Sequence, residues 1–164
     1  MDVTQAELES LAAELGAALL RCGMMLAAAE SCTGGWAAQA LTAVAGSSAW
    51  FERGFVTYSN DAKVEMLGVR QEALETFGAV SEETAREMVE GALAHSRAQA
   101  AFAITGIAGP SGGTLDKPVG TVCFAWARAG AEVVSARHRF SGDRRQVRAQ
   151  SVQEALRNML ALMP

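Results

Sequence analysis

Ser31 stands where a strand-to-helix turn is expected, and a serine in that place can act as a nucleophile. It belongs to the segment Glu30–Gly35 (ESCTGG), which follows the apolar run Met24–Ala29 and precedes a helical pattern that begins at Trp36. A serine hydroxyl is a poor nucleophile unless a base removes its proton. The N–H groups near Thr33–Gly35 have no partner within the new helix, so they could hold an oxyanion, and the glycines let a substrate approach the backbone closely.

Two other interpretations of this segment stay open from the residues alone. Ser31 or Thr33 could simply cap the following helix, which is the commoner use of these residue types at such a turn. Cys32 could be the nucleophile instead. A cysteine without a histidine in a recognised motif is more often a small buried residue.

Lys63 is the candidate base for the serine. The only histidines, His95 and His138, belong to no serine–histidine motif. A lysine can replace histidine when burial lowers its pKa, and the start of a short helix, where Lys63 is expected, also disfavours positive charge. Tyr58 could orient the base or relay its proton. The alternative is that Lys63 is a solvated helix residue and Tyr58 an aromatic residue at a strand end.

Two further features could bind an anion. The glycine-rich segment Gly106–Gly113 could offer backbone N–H groups, although it matches neither a phosphate loop nor a dinucleotide fingerprint and could be an ordinary wide turn. Arg144 and Arg148 share one face of the last predicted helix, near its start, where a phosphate or carboxylate would be favoured. The alternative is a solvated basic face paired with acids.

The composition excludes several classes of protein. The 164 residues are 50% hydrophobic and carry a net charge of −4, which fits one folded domain over residues 1–164 rather than a nucleic-acid binder. The three cysteines have no Cys-x-x-Cys spacing and the histidines no ligand spacing, so we expect neither disulfides nor a metal site. We see no signal peptide and no membrane span, and we expect a cytoplasmic protein.

Helical and strand patterns alternate along the chain. We predict an α/β fold, a three-layer α/β/α domain with a mixed, mostly parallel sheet of about five strands. Helices are expected from Thr4 to Gly23, 36–44, around Lys63 with a cap at Asn60 or Asp61, 71–77, from Ser81, and 143–162. Strands are expected at 24–29, 51–58, 100–105, 119–127 and 132–140. Ligands gather beyond the carboxyl ends of such strands, where the loops 30–35, 58–63 and 106–113 could meet.

Five separated blocks of the chain resemble the CinA C-terminal domain family, in family order and over nearly the whole length. The blocks are Ala29–Gly35 (AESCTGG), Gly46–Gly54 (GSSAWFERG), Val56–Lys63 (VTYSNDAK), Gly106–Pro110 (GIAGP) with Lys117–Thr121 (KPVGT), and Phe140–Arg144 (FSGDR) with Val147 and Arg148. The match is greatest to the stand-alone members of the family, which are nicotinamide-nucleotide amidases.

The resemblance implies hydrolysis of the carboxamide of nicotinamide mononucleotide to nicotinate mononucleotide and ammonia, in pyridine nucleotide salvage. It implies a serine nucleophile, here Ser31, assisted by Lys63 and Tyr58. It implies that no metal is required and that the chain forms a homodimer. We expect a small-molecule nucleotide substrate and no cofactor, and from the charge and hydropathy of the chain neither a nucleic-acid nor a membrane partner. We assign substrate binding to Cys32, Thr33, Gly34, Gly35, Ser48, Thr105, Gly106, Ala108, Gly109, Arg144 and Arg148.

Two other functions remain open at this point. A non-catalytic nucleotide-binding or regulatory module would need the pocket and the arginines but not a reactive Ser31. An amidase or esterase of another substrate would keep Ser31 and Lys63 without needing the arginine pair.

Overall fold

Helices and strands follow one another in the order that the hydrophobic pattern predicts. A computed structural model describes residues 2–164. Its helices are α1 (Gln5–Cys22), α2 (Trp36–Thr42), α3 (Asn60–Leu67), α4 (Gln71–Phe77), α5 (Glu82–Ala94) and α6 (Arg144–Ala161). Its strands are β1 (Leu26–Glu30), β2 (Phe51–Val56), β3 (Ala100–Gly106), β4 (Thr121–Arg128) and β5 (Val134–Arg139). A short 3-10 turn, Ser47–Ala49, precedes β2.

The five strands form one mixed sheet in the order β2-β1-β3-β4-β5. β1 pairs in parallel with both β2 and β3, whereas β4 runs antiparallel to β3 and to β5. Four strands therefore point the same way and β4 alone is reversed, which confirms the predicted mixed, mostly parallel sheet. The chain reverses between β3 and β4, and the β4–β5 hairpin returns β5 to the common direction.

Helices cover both faces of the sheet, as predicted. Side chains alternate between the two faces along a strand, so Leu26 and Phe102 pack with α1, α2 and α6, while Ala27 and Ala103 pack with α3, α4 and α5. The three central strands are buried along almost their whole length. This rigid double-sided core fixes the carboxyl ends of β1 and β3 against each other.

Close backbone contact seats α3, the helix that carries Lys63. A methyl group at Gly91 of α5 would overlap the carbonyl oxygen of Leu67 at the end of α3. Only glycine at residue 91 lets the two helices approach this closely. The approach presses α3 onto the end of the sheet and buries Lys63 and Leu67.

Local signals set most helix ends. Thr4 and Glu7 form the predicted capping box, and Gly23 ends α1 in the left-handed conformation. The predicted cap of α3 is wrong by one residue: the Ser59 hydroxyl accepts from the Ala62 N–H, whereas Asn60 and Asp61 already lie inside the helix. In residues 2–164 every helix is too short or too polar to cross a membrane.

Candidate active site

The loops after three neighbouring strands meet at one edge of the sheet. Because β2, β1 and β3 are parallel, their carboxyl ends lie side by side. The cleft between these loops is lined by Ser31, Cys32, Tyr58, Asn60, Lys63, Ala79, Val80, Thr105, Gly106, Ala108 and Arg144. Its volume is about 240 Å³, less than the roughly 300–1,000 Å³ of pockets that enclose a whole ligand. It is suited to hold one ring of a ligand, with the remainder at its mouth.

A serine and a lysine face each other at the floor of this cleft. Lys63 Nζ lies 3.0 Å from Ser31 Oγ, and both residues are buried, Lys63 to 1% exposure. Nζ also donates to the carbonyl oxygens of Thr57, at 3.0 Å, and Ser59, at 3.5 Å. In a neutral amine these two carbonyls accept both N–H bonds, which leaves the lone pair for the Ser31 hydroxyl.

The environment of Lys63 favours that neutral amine. Burial lowers the pKa of Lys63, because an ammonium loses its hydration when it is enclosed. The nearby Cys32 thiol has a smaller and opposite effect on this pKa. A neutral amine at this distance from Ser31 Oγ is able to accept the hydroxyl proton.

Cys32 also lines the cleft but is poorly suited to be the nucleophile. Burial raises the pKa of its thiol to about 12, although the charge of Arg148 acts to lower that pKa. The thiolate is the reactive form of cysteine, and it is almost absent at neutral pH with such a pKa. The burial of the Cys32 thiol and the contact of Ser31 with Lys63 together favour Ser31 over Cys32.

The carboxylate of Glu30 holds the turn that carries Ser31. Glu30 is 1% exposed. Its acceptor bonds come from the Thr33 hydroxyl at 2.6 Å, from the N–H groups of Gly35 at 3.2 Å and Ala37 at 2.9 Å, and from the Ala38 N–H at 3.0 Å. Gly35, the N-cap of α2, has no side chain that could accept from the first N–H groups of the helix, so the Glu30 carboxylate accepts from them instead. Sequence reasoning missed the role of Glu30, although a carboxylate at a strand end before an uncapped helix is a readable signal.

These bonds correct the expected oxyanion site. The N–H of Gly35 is taken by Glu30, and the N–H of Gly34 donates to the Ser31 carbonyl at 3.0 Å. Within residues 2–164, the N–H groups of Cys32 and Thr33 have no acceptor. The N–H groups of this turn that remain without an acceptor are therefore those of Cys32 and Thr33, whereas those of Gly34 and Gly35 are occupied within the turn.

Tyr58 and Arg144 meet at the mouth of the cleft. Arg144 donates to the Tyr58 hydroxyl at 3.0 Å and to the Gly109 carbonyl at 2.8 Å. Tyr58 is 62% exposed. In residues 2–164 no hydrogen bond joins its hydroxyl to Ser31 or Lys63. The structure thus places Tyr58 beside the arginine and not between nucleophile and base.

Six predicted binding residues do not line the cleft: Thr33, Gly34, Gly35, Ser48, Gly109 and Arg148. Arg148 donates from Nε to the Cys32 carbonyl at 3.0 Å and from Nη2 to the Thr33 carbonyl at 2.9 Å, both in the Ser31 turn. Ser48 lies on the exposed 3-10 turn before β2, beyond the amino end of that strand, whereas Ser31 follows the carboxyl end of β1. The structure does not bring Arg148 or Ser48 to the cleft.

Two further segments line the cleft: the end of β3 with the loop after it, which was predicted, and the loop before α5, which was not. Thr105, Gly106 and Ala108 line the cleft as expected from the end of β3. Ala79 and Val80, in the loop before α5, were missed, and the Thr105 hydroxyl fixes that loop by donating to the Ala79 carbonyl at 2.9 Å. Among residues 2–164 no group of three or more metal-ligating side chains converges.

The chain is similar in sequence to named enzymes. The model of the CinA C-terminal domain matches residues 8–163. A nicotinamide-nucleotide amidohydrolase PncC of Escherichia coli K12 is 54% identical over 157 residues, which cover 96% of this chain and 95% of that protein. A protein of the same name from Pseudomonas putida is 51% identical over 93% of this chain and 95% of its own length.

The fold agrees with this similarity. The crystal structure of the competence/damage inducible protein CihA from Agrobacterium tumefaciens superposes with a TM-score of 0.92 at 49% identity, and 94% of each chain is covered. By family model, sequence and fold, the chain belongs to the CinA C-terminal domain family.

Proposed function

We propose that this chain is a nicotinamide-nucleotide amidohydrolase that converts nicotinamide mononucleotide and water into nicotinate mononucleotide and ammonia. The observation that carries the proposal is the contact of 3.0 Å between Lys63 Nζ and Ser31 Oγ at the floor of a cleft. Support comes from relatives of that name, which match over nearly the full length of this chain.

In the proposed first half-reaction, Ser31 Oγ attacks the carboxamide carbon while Lys63 takes the hydroxyl proton. The N–H groups of Cys32 and Thr33 hold the oxyanion of the tetrahedral intermediate. The Lys63 ammonium then gives its proton to the leaving nitrogen, and ammonia departs. Lys63 is neutral again at the end of this step.

The second half-reaction releases the product. Water attacks the ester carbonyl of the acylated Ser31, and Lys63 takes a proton from that water. Collapse of the second intermediate breaks the ester bond and returns the proton to Ser31 Oγ. Because Nζ already contacts Oγ, neither proton transfer needs Tyr58; the relay through Tyr58 stays a prediction without a hydrogen bond to support it.

The cleft suggests how the substrate is held. Ala79, Val80 and Ala108 offer apolar contacts to the pyridine ring, with the carboxamide directed at Ser31. Arg144, at the mouth, offers a cation to the phosphate. The small volume of the cleft leaves the ribose and phosphate outside it, next to Arg144 and Tyr58.

A non-catalytic nucleotide-binding module is the alternative, and the buried lysine argues against it. Enclosing an amine costs free energy, and a module that only binds nucleotides has no need of a buried neutral amine beside a serine. The homodimer remains a prediction.

The test offers the purified chain three amides that share one carboxamide: nicotinamide mononucleotide, nicotinamide riboside and nicotinamide. Ammonia release is followed by a coupled assay and the product is identified by mass. The proposal expects the mononucleotide to be the preferred substrate. Preference for an amide without phosphate would favour an amidase of another substrate, and binding of the mononucleotide without ammonia release would favour the binding module.

A further inference from the structure

Arg148 binds the backbone of the Ser31 turn without lining the cleft. Its guanidinium donates to two successive peptide carbonyls, those of Cys32 and Thr33, at 3.0 and 2.9 Å. Arg148 does not line the cleft, whereas Arg144, one helical turn earlier, does. The two arginines of one helix face therefore have different neighbours, and a single role in binding an anion does not describe both.

The carbonyl bonds determine where the opposite ends of those peptides point. In a trans peptide the C=O and N–H bonds point in opposite directions, and the bond between Cys32 and Thr33 is trans. Because the Cys32 carbonyl points towards Arg148, the Thr33 N–H of the same peptide points away from Arg148. That N–H has no acceptor within residues 2–164.

The guanidinium is itself held in place. Its central carbon lies 5.4 Å from the ring centroid of Trp36, the first residue of α2, and the Trp36 Nε1–H donates to Gln5 at 2.8 Å. Arg145 lies over the same ring at 5.7 Å but makes no hydrogen bond to the turn. Stacking and two directed donors together leave Arg148 little freedom.

We propose that Arg148 is a positioning residue for amide hydrolysis: it holds the Cys32–Thr33 peptide so that the Thr33 N–H faces the oxyanion. The inference rests on the proposed function. Without the hydrogen bonds from Arg148, the Cys32–Thr33 peptide can rotate and turn its carbonyl oxygen towards the substrate. That oxygen would repel the oxyanion. The Arg148 charge also polarises the peptide and strengthens its N–H as a donor.

The proposal predicts a specific kinetic change for Arg148→Lys. A lysine cannot supply two donors in the fork geometry, and the loss of an oxyanion donor typically costs about 10²–10³ in kcat. Because lysine retains the charge and one donor, we expect kcat to fall about 10- to 100-fold while KM for nicotinamide mononucleotide stays within about threefold. Arg145→Lys is the matched control and should leave both constants unchanged.

A second measurement separates positioning from general structure. Binding of the mononucleotide is measured in a Ser31→Ala background with and without Arg148→Lys, and the two affinities should agree. If Arg148→Lys does not fold, Trp36→Leu removes the stacking face and the bond to Gln5 but leaves both Arg148 donors, and it should lower kcat by a smaller factor. Millimolar guanidinium should restore part of the kcat of Arg148→Ala and should leave the kcat of Arg145→Ala unchanged.

The outcomes are distinguishable. A rise in KM with kcat unchanged would show that Arg148 binds substrate and would overturn the proposal, as would a kcat equal to that of Arg145→Lys. A wild-type protein that binds the mononucleotide but releases no ammonia would overturn the proposed function, and this inference with it. The split between kcat and KM, with guanidinium rescue, is the result that supports positioning.

Discussion

Exchanging Glu30 for glutamine removes the negative charge beneath the Ser31 turn. We expect Glu30→Gln to lower the free energy of unfolding by about 2–4 kcal/mol. We expect the same substitution to lower kcat, because the N–H groups of the turn lose their fixed orientation. No change is expected in the sheet, since the Glu30 backbone still pairs with both neighbouring strands.

The magnitude follows from the hydrogen bonds of the carboxylate. One oxygen accepts from Thr33, Gly35 and Ala37, and the other from Ala38. A glutamine oxygen can keep the first three bonds, but its NH₂ then faces the Ala38 N–H, which loses its acceptor at about 1–3 kcal/mol. The three remaining bonds lose about 1 kcal/mol each without the charge. The lower cost of burying a neutral amide offsets part of this loss.

Urea unfolding followed by circular dichroism measures the difference. Glu83→Gln is the matched control, because Glu83 is an exposed acid in the first turn of α5. Only its interaction with the helix dipole is lost, at less than about 1 kcal/mol. The expected loss for Glu30→Gln corresponds to a fall in Tm of about 4–16 °C in a chain of this size. A loss no larger than that of Glu83→Gln would refute the structural role assigned to Glu30.

Three further predictions concern the base and the phosphate. Burial lowers the pKa of Lys63 from its ordinary 10.5, and only the neutral amine accepts a proton. We therefore expect kcat/KM to rise tenfold per pH unit up to an inflection below pH 10.5 and then to level. An inflection at or above pH 10.5 would contradict the buried base. Lys63→Arg, which cannot deprotonate, should lower kcat by about 10²–10⁴ in a folded protein, and near-normal turnover would exclude Lys63. Arg144→Ala should raise KM for nicotinamide mononucleotide about 10- to 100-fold, because a charged hydrogen bond to the phosphate is lost. The KM for nicotinamide riboside, which has no phosphate, should not change. An equal change of KM for both substrates would show that Arg144 does not contact the phosphate.

The elements could be predicted because their signals are local. The apolar period and the capping box of Thr4 and Glu7 define α1, and the reversed strand follows from a hairpin at Ala129-Gly130. These local signals do not determine the order of the strands in the sheet. That order depends on how β1 enters between β2 and β3, which is a property of the folded chain.

The pairing of Ser31 with Lys63 could not be predicted from spacing. The two residues are 32 positions apart, and their contact depends on the depth at which α3 lies against the sheet. That depth is set by Gly91 on a third element. The resemblance to a family identified both residues as candidates, and the residues alone left each of them with an alternative.

Helical spacing predicted that Arg144 and Arg148 would bind one anion together, but only Arg144 lines the cleft. Two residues four apart share a face but lie about 6 Å apart along the axis. On α6 that step carries Arg144 to the mouth of the cleft and Arg148 to the backbone of the Ser31 turn. Proximity in a motif also does not show at which end of a strand a residue lies; Ser48 precedes β2, and its role in substrate binding stays a prediction.

The central claim is that Ser31 is the nucleophile of an amide hydrolysis, and ammonia release from nicotinamide mononucleotide by Ser31→Ala tests it most directly. Ser10→Ala, a change on the exposed side of α1, is the matched control. We predict release by the wild type and by Ser10→Ala, and none by Ser31→Ala in a folded protein that still binds the mononucleotide. Undiminished release by Ser31→Ala would contradict the claim and move the nucleophile to another group, with Cys32 the nearest thiol in the cleft.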